Sequence, residues 1–513
     1  MDARAGYHIG YRSRVRRGAP LRGAWIAGLA LVGVVVAAAA VRFGGRRPAR
    51  DFGEPPGPPP KVIRSVPVAA DPHGANVLII VGDDVGVDKV SAMRAHPQAP
   101  PTPHIDALAG RGLRFDRAYA HPICSPSRAA LLTGRYPSRS GIGGVVHTDE
   151  EDVVLPLEEI TLAELVQRAP GRPYASSAVG KWHLGSAGGP GGLRHPLEQG
   201  FGWYAGVFGN LSYSDPWFEP PTSWFSFFKT VNGETVRREA FVLTDETDDA
   251  IARIEAMPEP WLLYLSYHAA HFPYPVPPPW MHVEKGLTAE SNDVRRQAAT
   301  MEAMDYDIGR LMQSMSAEVL ARTVVIFVGD NGTAAQATLP PFDFENAKGT
   351  LMEEGVRVPM IIAGPGIPQP GAVTGLVHLV DLFPTVADIA GVPVSSLVDP
   401  RTGAPVVLDG VSLLPYFSDP ARASIRTEVY SERFRGERPP FGEHRRMIRS
   451  ERYKVGYASA ERHRIYDLVS DPLGHTPLEI DQLDAAGQAE VRRLAAVSQA
   501  IEASVEAEWS ARR

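Results

Sequence analysis

The chain has 513 residues, of which 44% are hydrophobic and 22% are charged, and its formal net charge is −7. This balance is that of a folded globular protein and excludes a disordered or low-complexity chain. The acidic charge also argues against nucleic acid as a partner. The length exceeds that of one ordinary hydrophobic core, so we expect a large domain and a smaller one.

The first 71 residues precede the expected folded part of the chain. Residues 1–22 are rich in arginine, and residues 23–41 form an apolar run without charge. This pattern predicts a cytoplasmic basic segment, a transmembrane anchor at 23–41 and an exported remainder. A signal peptide cleaved near the alanines at 37–40 is the alternative. Residues 42–71 are predicted to be a linker rich in proline and glycine.

From residue 72 onward, strand and helix patterns alternate. Continuous apolar runs, typical of strands buried on both faces, lie at 76–81, 261–267 and 323–328. Further strands are predicted at 113–119 and 358–363, and helices at 102–111, 157–168, 293–316 and 381–390. The alternation predicts an α/β fold, in which helices sandwich a large mixed, mostly parallel sheet. The functional site is then expected beyond the carboxyl ends of the strands.

Acidic side chains follow two of the predicted strands. Asp83 and Asp84 come directly after the strand at 76–81, and Asp330 and Asn331 follow the strand at 323–328. Each pair on its own is also compatible with a solvated turn. Together they supply three carboxylates and one amide oxygen, a donor set that suits Ca²⁺ or Mg²⁺ rather than zinc.

Cys124 is the only cysteine of the chain, and it opens the run Cys-Ser-Pro-Ser-Arg. An internal disulfide is therefore excluded, and a buried inert thiol, a reactive thiol and a site of modification remain. Pro126 suits the first turn of a helix. Arg128 would lie about one helical turn after Cys124, close enough to act on the same group.

Three further motifs contain lysine or histidine. In Gly-Lys-Trp-His-Leu-Gly at 180–185, Lys181 and His183 would face the same side of an extended chain and could hold an anion between them. His-Ala-Ala-His-Phe-Pro at 268–273 contains two histidines, and Lys-Gly-Thr stands at 348–350.

These motifs, in this order, resemble the signature of the type I sulfatases, the formylglycine-dependent, arylsulfatase-like family of the alkaline phosphatase superfamily. The resemblance extends from about residue 74 to residue 480. It departs from the family pattern at Met352, which replaces an aromatic residue, and at Glu354, which replaces a glycine. The segment at 473–477, Leu-Gly-His-Thr-Pro, also differs from the usual family sequence. Because glycine tolerates positive φ angles and glutamate does not, we expect Glu354 to alter the backbone path of its loop.

The resemblance implies the chemistry of the site. Cys124 would be oxidised to formylglycine by a formylglycine-generating enzyme, and the hydrated aldehyde would attack the sulfate ester. The residues implied to be catalytic are Cys124, Arg128, Lys181, His183, His271 and Lys348. The implied ligands of the metal, Ca²⁺ or alternatively Mg²⁺, are Asp83, Asp84, Asp330 and Asn331, together with the modified Cys124. The family motif His-x-Pro selects His271 for the sulfate or the leaving-group oxygen and leaves His268 with a structural or supporting role.

The resemblance also implies the domain organisation. Residues 72–420 would form the catalytic domain, and residues 421–513 would form a small C-terminal subdomain. In that subdomain an antiparallel sheet, including residues 446–457 and 465–468, would pack against a final helix at about 485–509.

Sulfate monoester hydrolysis is the activity that we expect, on a sulfated small molecule or a glycan. The alternatives are a phosphonate monoester or phosphodiester hydrolase of the same superfamily, and a non-catalytic surface protein. The first is disfavoured because such relatives carry histidine at the position of Asn331, and the second because the reactive side chains are intact. Aromatic residues between 201 and 228 suit an aryl group and a sugar ring equally, so both substrate classes stay open.

Overall fold

A computed structural model of the chain describes residues 55, 57–147, 153–211, 223–459 and 462–512. The predicted basic segment at 1–22 and the predicted anchor at 23–41 lie outside the described residues, so both stay predictions. Among the helices of the described ranges, none combines the length and the hydropathy that a membrane crossing requires.

The large sheet has parallel strands at its centre and antiparallel strands at both sides. Its strands are β1 (Asn76–Gly82), β2 (Leu113–Tyr119), β3 (Ala175–Gly180), β4 (Tyr204–Gly206), β5 (Phe227–Val231), β6 (Glu234–Arg238), β7 (Trp261–Ser266), β8 (Thr323–Gly329), β9 (Arg357–Val358), β10 (Met360–Ala363) and β11 (Gly371–His378). Their order is β11-β2-β10-β8-β1-β7-β3-β4-β5-β6, and β9 pairs with β2 beside this path. The predicted mixed, mostly parallel α/β sheet is confirmed.

Helices cover both faces of this sheet. They are α1 (Pro103–Ala109), α2 (Cys124–Thr133), α3 (Pro137–Ser140), α4 (Leu162–Val166), α5 (His195–Glu198), α6 (Val242–Ala256), α7 (Asp293–Ser314), α8 (Ala317–Ala321), α9 (Glu353–Val356), α10 (Leu382–Ala390) and α11 (Pro415–Ser418). In the central strand β1, Val77 and Ile79 pack into a core with α2, α4 and α10. Leu78 and Ile80 pack into a second core with α1, α6 and α7. Burial on both faces is why the central strands are continuous apolar runs.

The C-terminal part forms a second, antiparallel sheet. Its strands are β12 (Val429–Arg435), β13 (Gly442–Arg449), β14 (Tyr453–Tyr457) and β15 (His463–Asp467), paired in that order. The long helix α12 (Ala485–Ala511) packs on it, and Tyr430, Ile448 and Val455 of the sheet share a core with Val491 and Leu494 of the helix. This agrees with the small sheet and final helix that we expected. The boundary at residues 420 and 421 stays a prediction.

A buried ionic cluster joins the small sheet to the large domain. Glu353, at the start of α9, accepts hydrogen bonds from Lys454 Nζ at 3.1 Å, from Arg449 Nη1 at 3.3 Å and from Tyr119 Oη at 2.7 Å. Lys454 and Arg449 belong to the small sheet, whereas Tyr119 ends β2. Two cations and a hydroxyl therefore stabilise a carboxylate that is almost completely buried.

Two predicted elements differ from the observed ones. The helix predicted at 157–168 is only Leu162–Val166, because Thr161 caps its first turn by accepting a hydrogen bond from the Glu164 N–H. The strand predicted at 358–363 is divided into β9 and β10 at Pro359, which has no N–H to donate to a neighbouring strand.

Candidate active site

The candidate site lies where the central strands end and α2 begins. Strands β1 and β8 run in register up to Gly82 and Gly329, so Asp83 and Asp330, the next residues, emerge side by side. Strands β7 and β3 end at the same edge. Cys124 is the first residue of α2, which starts at this edge. The topology thus gathers side chains that lie far apart in the sequence.

Asp83 is surrounded by donors. Lys181 Nζ lies 2.6 Å from its Oδ2 atom, and Arg128 Nη2 lies 3.5 Å from its Oδ1 atom. The Cys124 sulfur lies 3.4 Å from Asp83 Oδ1 and 3.8 Å from Asp84 Oδ1. The thiol therefore points into the carboxylate cluster rather than into an apolar core.

Asp84 and Asp330 continue the same network. Asp84 Oδ1 accepts hydrogen bonds from Lys348 Nζ at 2.6 Å and from Asn331 Nδ2 at 2.9 Å. Asp330 Oδ1 accepts one from the Asp84 N–H at 3.0 Å. Its Oδ2 atom accepts two from Arg128, at 3.0 Å from Nε and 2.8 Å from Nη2. Arg128, predicted to lie near Cys124, thus also fixes the orientation of a predicted metal ligand.

Burial and charge separate the pKa values of these groups. Burial acts to raise the pKa of Asp83, but the charge of Lys181, with further contributions that include Arg128, holds this pKa well below its usual value. At Asp330, burial outweighs the attraction of Arg128 and raises the pKa to about 6. Burial also raises the pKa of the Cys124 thiol, which therefore stays protonated at neutral pH. Lys181, Lys348 and Arg128 pair with Asp83, Asp84 and Asp330, yet burial still raises the pKa of Asp330, and a further cation would stabilise its ionised form.

The cluster fits a hard divalent cation. Ligand atoms of Asp83, Asp84, Cys124 and His271 all lie within 4.8 Å of one another. The Oδ1 atom of Asn331 is buried and accepts no hydrogen bond from the residues that the structure describes. A bound cation would satisfy this acceptor, whose isolation is otherwise costly. The group contains two of the four predicted ligands, Asp83 and Asp84, together with Cys124 and with His271, which sequence reasoning assigned to the sulfate or leaving-group oxygen instead; the four-ligand set stays a prediction.

Lys181 and His183 reach the site along a path that we did not predict. The expectation of a common side assumed an extended chain, but Gly180 and His183 have φ angles of 90° and 59°. The chain therefore turns after β3. Lys181 still reaches Asp83, and His183 is buried, with an Nδ1 atom that has no partner among the described residues. Burial, followed by the charges of Lys181 and Arg128, lowers the pKa of His183 well below its usual value.

His268 is held by groups that sequence reasoning missed. Its Nδ1 atom lies 2.5 Å from Glu246 Oε1 in α6, and its Nε2 atom lies 3.2 Å from the Gly209 carbonyl oxygen. Both ring nitrogens are therefore engaged within the protein, as the structural role requires.

Ser266, the last residue of β7, accepts a hydrogen bond from Arg128 Nη1. A serine that ends an apolar strand could have indicated this contact, whereas nothing in the sequence singles out Glu246.

The site opens to solvent at His271 and Lys348. Their side chains are 16% and 21% exposed, whereas those of Asp83 and Asp84 are at most 2% exposed. The His271 Nδ1 atom donates to the Phe272 carbonyl oxygen, and its Nε2 atom faces Asp84 Oδ2 at 3.8 Å. Burial, followed by the charge of Lys348, lowers the pKa of His271 to about 4. A substrate would therefore approach from the side of these two residues.

Two departures from the family pattern contact each other. The Oε1 atom of Glu354 lies 2.5 Å from His475 Nε2, in the unusual segment at 473–477. Glu354 lies in α9 and is not among the described residues with positive φ. The expectation that it alters the backbone path is therefore wrong, because its position is helical and needs no glycine. The pair joins the loop after Lys348 to the C-terminal part.

Comparison with known proteins identifies the family. Residues 75–392 match the protein family described as "Sulfatase", and residues 344–494 match the one described as "N-sulphoglucosamine sulphohydrolase, C-terminal". The chain belongs to the sulfatase family. The first match covers the whole of the candidate site, from Asp83 to Lys348.

Individual relatives are similar over about two thirds of the chain. The uncharacterized sulfatase YdeN of Escherichia coli (strain K12) is 29% identical over 70% of this chain and 64% of its own length. Arylsulfatase A of Homo sapiens is 30% identical over 66% of this chain and 67% of its own length. N-acetylgalactosamine-6-sulfatase of Sus scrofa is 31% identical over 68% and 67%. This member of the sulfatase family thus spans about two thirds of the length of these relatives.

Solved structures share the fold. Ps i-CgsB superposes with a TM-score of 0.68 at 25% identity, over 83% of this chain and 93% of that one. The PsFucS1 sulfatase from Pseudoalteromonas sp. superposes with a TM-score of 0.65 at 23% identity, over 84% and 90%. Either alignment includes more than four fifths of this chain.

Proposed function

We propose that the protein hydrolyses sulfate monoesters, with Cys124, after conversion to formylglycine, as the nucleophile. The observation that carries the proposal is the position of Cys124, the first residue of α2. Its sulfur lies 3.4 Å from Asp83 Oδ1 and 3.8 Å from Asp84 Oδ1. Around it, Arg128, Lys181 and Lys348 provide positive charge for an anionic ester. Membership of the sulfatase family supports the same reaction.

The surroundings of Cys124 disfavour an ordinary thiol nucleophile. A cysteine attacks as thiolate, which positive neighbours and helix N-termini normally stabilise. Here burial raises the pKa of the thiol in spite of the charges of Lys181 and Lys348. Formylglycine would supply a hydrated aldehyde, whose two hydroxyls serve for attack on sulfur and for release of sulfate. The modification requires a formylglycine-generating enzyme as a partner.

A divalent cation, Ca²⁺ or Mg²⁺, is the proposed cofactor. Asp83, Asp84, Asp330 and Asn331 would hold it, beside the modified Cys124. Such a cation would compensate the carboxylates and polarise an oxygen of the sulfate group. Oxygen ligands favour a hard cation over zinc.

The remaining residues have separate proposed roles. Lys181 and His183 would hold the ester and the nucleophile in place. Asp330, whose pKa of about 6 lies near neutrality, is the proposed acceptor of the attacking hydroxyl's proton. Lys348 and His271, at the solvent side, would serve the leaving oxygen. Because its Nδ1 atom donates to a carbonyl oxygen, the neutral His271 ring has no proton on Nε2, and it would donate to the leaving oxygen only after Nε2 takes a second proton from solvent.

The substrate class is proposed only as aryl or carbohydrate sulfates, because relatives named after both kinds of substrate are similar to this chain.

We also propose that the catalytic domain is exported and anchored by residues 23–41. Protease treatment of intact cells tests this topology: residues 72–513 should be digested, and their protection would contradict export.

Peptide mass spectrometry across residues 120–135 tests the central proposal. The active protein should contain formylglycine at position 124. Compared with cysteine, this residue has one oxygen in place of the sulfur and two hydrogens fewer. The same preparation should hydrolyse p-nitrophenyl sulfate. A fully active preparation that contains only the unmodified thiol would contradict the nucleophile, and faster turnover of phosphonate or phosphate diesters than of any sulfate would contradict the reaction class.

A further inference from the structure

The hairpin of β12 and β13 contacts the loop that carries Lys348. Arg433 Nη1 in β12 donates a hydrogen bond to the Gly349 carbonyl oxygen at 2.5 Å. The Gly349 N–H donates to the Pro122 carbonyl oxygen at 2.8 Å. Arg433 therefore contacts the residue that follows Lys348. That residue, Gly349, in turn contacts Pro122, which precedes Cys124 by two positions. Arg433 lies beside the side of the site that opens to solvent.

Arg433 has a second arginine directly opposite. In the antiparallel register Arg433 pairs with Arg445 of β13, and residues that pair directly share one face of a sheet. The same face carries Ser431, whose hydroxyl donates to the Ala120 carbonyl oxygen at 2.7 Å, and Met447, which packs with Tyr119. This face is consequently the one that looks toward the large domain.

Neither arginine forms an ion pair with a carboxylate of the described residues, and Arg445 is exposed to solvent. Like charges directly opposite in a sheet destabilise it. Nη1 of Arg433 is bonded to a neutral carbonyl, and Arg445 forms no ion pair with a described residue. The neighbouring carboxylate, Glu443, is 54% exposed and pairs with Arg435 at 3.3 Å. Burial and the charge of Arg445 lower the pKa of Arg433, and the opposing charge of Glu443 does not offset them.

We propose that Arg433 and Arg445 bind a second anionic group of the substrate, a carboxylate or a second sulfate, on the leaving-group side of the ester. Guanidinium groups bind both anions through paired, charge-assisted hydrogen bonds. Gly349 occupies only Nη1 of Arg433, so that Nε and Nη2 are the donors for such an anion. This inference rests on the proposed sulfate ester hydrolysis and names its substrate class: sulfate esters of molecules that carry a further negative charge.

Three phenyl sulfates test the inference on the full-length, modified protein. One carries a para carboxylate, one a second sulfate and one a neutral para carboxamide, and kcat/KM is measured for each. For the wild type we expect a preference of about tenfold or more for at least one anionic compound over the carboxamide. Which anionic compound is preferred distinguishes a carboxylate from a second sulfate.

Two variants and a control assign the preference to the arginines. Arg445→Gln should reduce the anionic-to-neutral ratio of kcat/KM several-fold. Arg433→Gln should reduce this ratio too and also lower kcat for all three compounds, because it loosens Gly349 beside Lys348. Arg464→Gln, on the exposed part of β15, is the matched control and should keep the wild-type ratio.

The outcomes separate this inference from the proposed function. A wild type that hydrolyses the carboxamide at least as well as both anionic compounds would overturn the second anion site. The same conclusion would follow if the ratio stayed unchanged in both variants. Failure to hydrolyse any of the three sulfates would instead contradict the proposed function.

Discussion

Replacing Glu353 by glutamine should destabilise the protein strongly, although Glu353 is outside the candidate site. Burial acts to raise the pKa of this carboxyl, but Lys454, Arg449 and the Tyr119 hydroxyl lower it from 4.5 to about 2. The difference between these two pKa values corresponds to about 3–4 kcal/mol of stability at neutral pH, at about 1.4 kcal/mol per pH unit. The full value applies because the side chain is almost completely buried.

The partner of Glu353 responds to its loss. Burial lowers the pKa of Lys454 in spite of the carboxylate, so in Glu353→Gln the lysine can release its proton instead of staying a buried, unpaired charge. The expected cost is therefore about 3 kcal/mol, the lower end of what breaking a buried ion pair costs. Glu354→Gln is the matched control: burial raises the pKa of Glu354 in spite of its contact with His475, so its ionised form does not stabilise the fold, and we expect a loss below about 1 kcal/mol.

Urea unfolding followed by tryptophan fluorescence measures both variants. The sign of the pH dependence is also fixed: a lowered carboxyl pKa stabilises the fold above pH 4.5, and this stability is lost as the pH falls from 4.5 toward 2. The wild type should lose it in this range and Glu353→Gln should not. Equal unfolding midpoints for Glu353→Gln and Glu354→Gln at pH 7 would refute the reasoning.

Three further predictions concern the site. Asp330→Ala should lower metal affinity by about 100-fold or more without unfolding the chain, as isothermal titration with Ca²⁺ and circular dichroism can check; full activity after exhaustive chelation would contradict the cation. Cys124→Ser should lose nearly all hydrolysis of p-nitrophenyl sulfate, because serine has no second hydroxyl, and near-normal turnover would argue against formylglycine. His271→Ala should slow alkyl or sugar sulfates by about 10²–10⁴-fold and p-nitrophenyl sulfate much less; equal losses would mean that His271 binds the ester but does not serve the leaving oxygen.

The central strands and the site residues that follow them could be predicted because burial on both faces leaves a continuous apolar run. The polar residues at the ends of such runs are then conspicuous, as with Asp83 after β1. The strands β4 to β6 at one side of the sheet could not be predicted, because they are short and the last of them, Glu234–Arg238, is largely exposed and polar. An apolar pattern does not mark a strand that faces water.

The contacts between side chains that lie far apart in the sequence could not be predicted either. The contact of Arg128 with Asp330 joins residues 202 positions apart, and no local pattern encodes such a distance. The Glu246–His268 pair depends on how α6 lies across the sheet. The compensation of Glu354 by His475 was invisible for the same reason, since each residue alone was only a departure from the family pattern.

The burial of Cys124 has a consequence for the order of events during synthesis. The folded side chain is 1% exposed, so an enzyme that oxidises it must reach the chain before α2 docks on the sheet. The strand β8, which brings Asp330 to the site, is translated about 200 residues later. At about 5–20 residues per second, this leaves roughly 10–40 s in which the cysteine can be modified on a growing chain. Chains that complete the central sheet before Cys124 is oxidised would keep the thiol. The fraction of active protein would therefore depend on the rate of oxidation relative to the rate of folding.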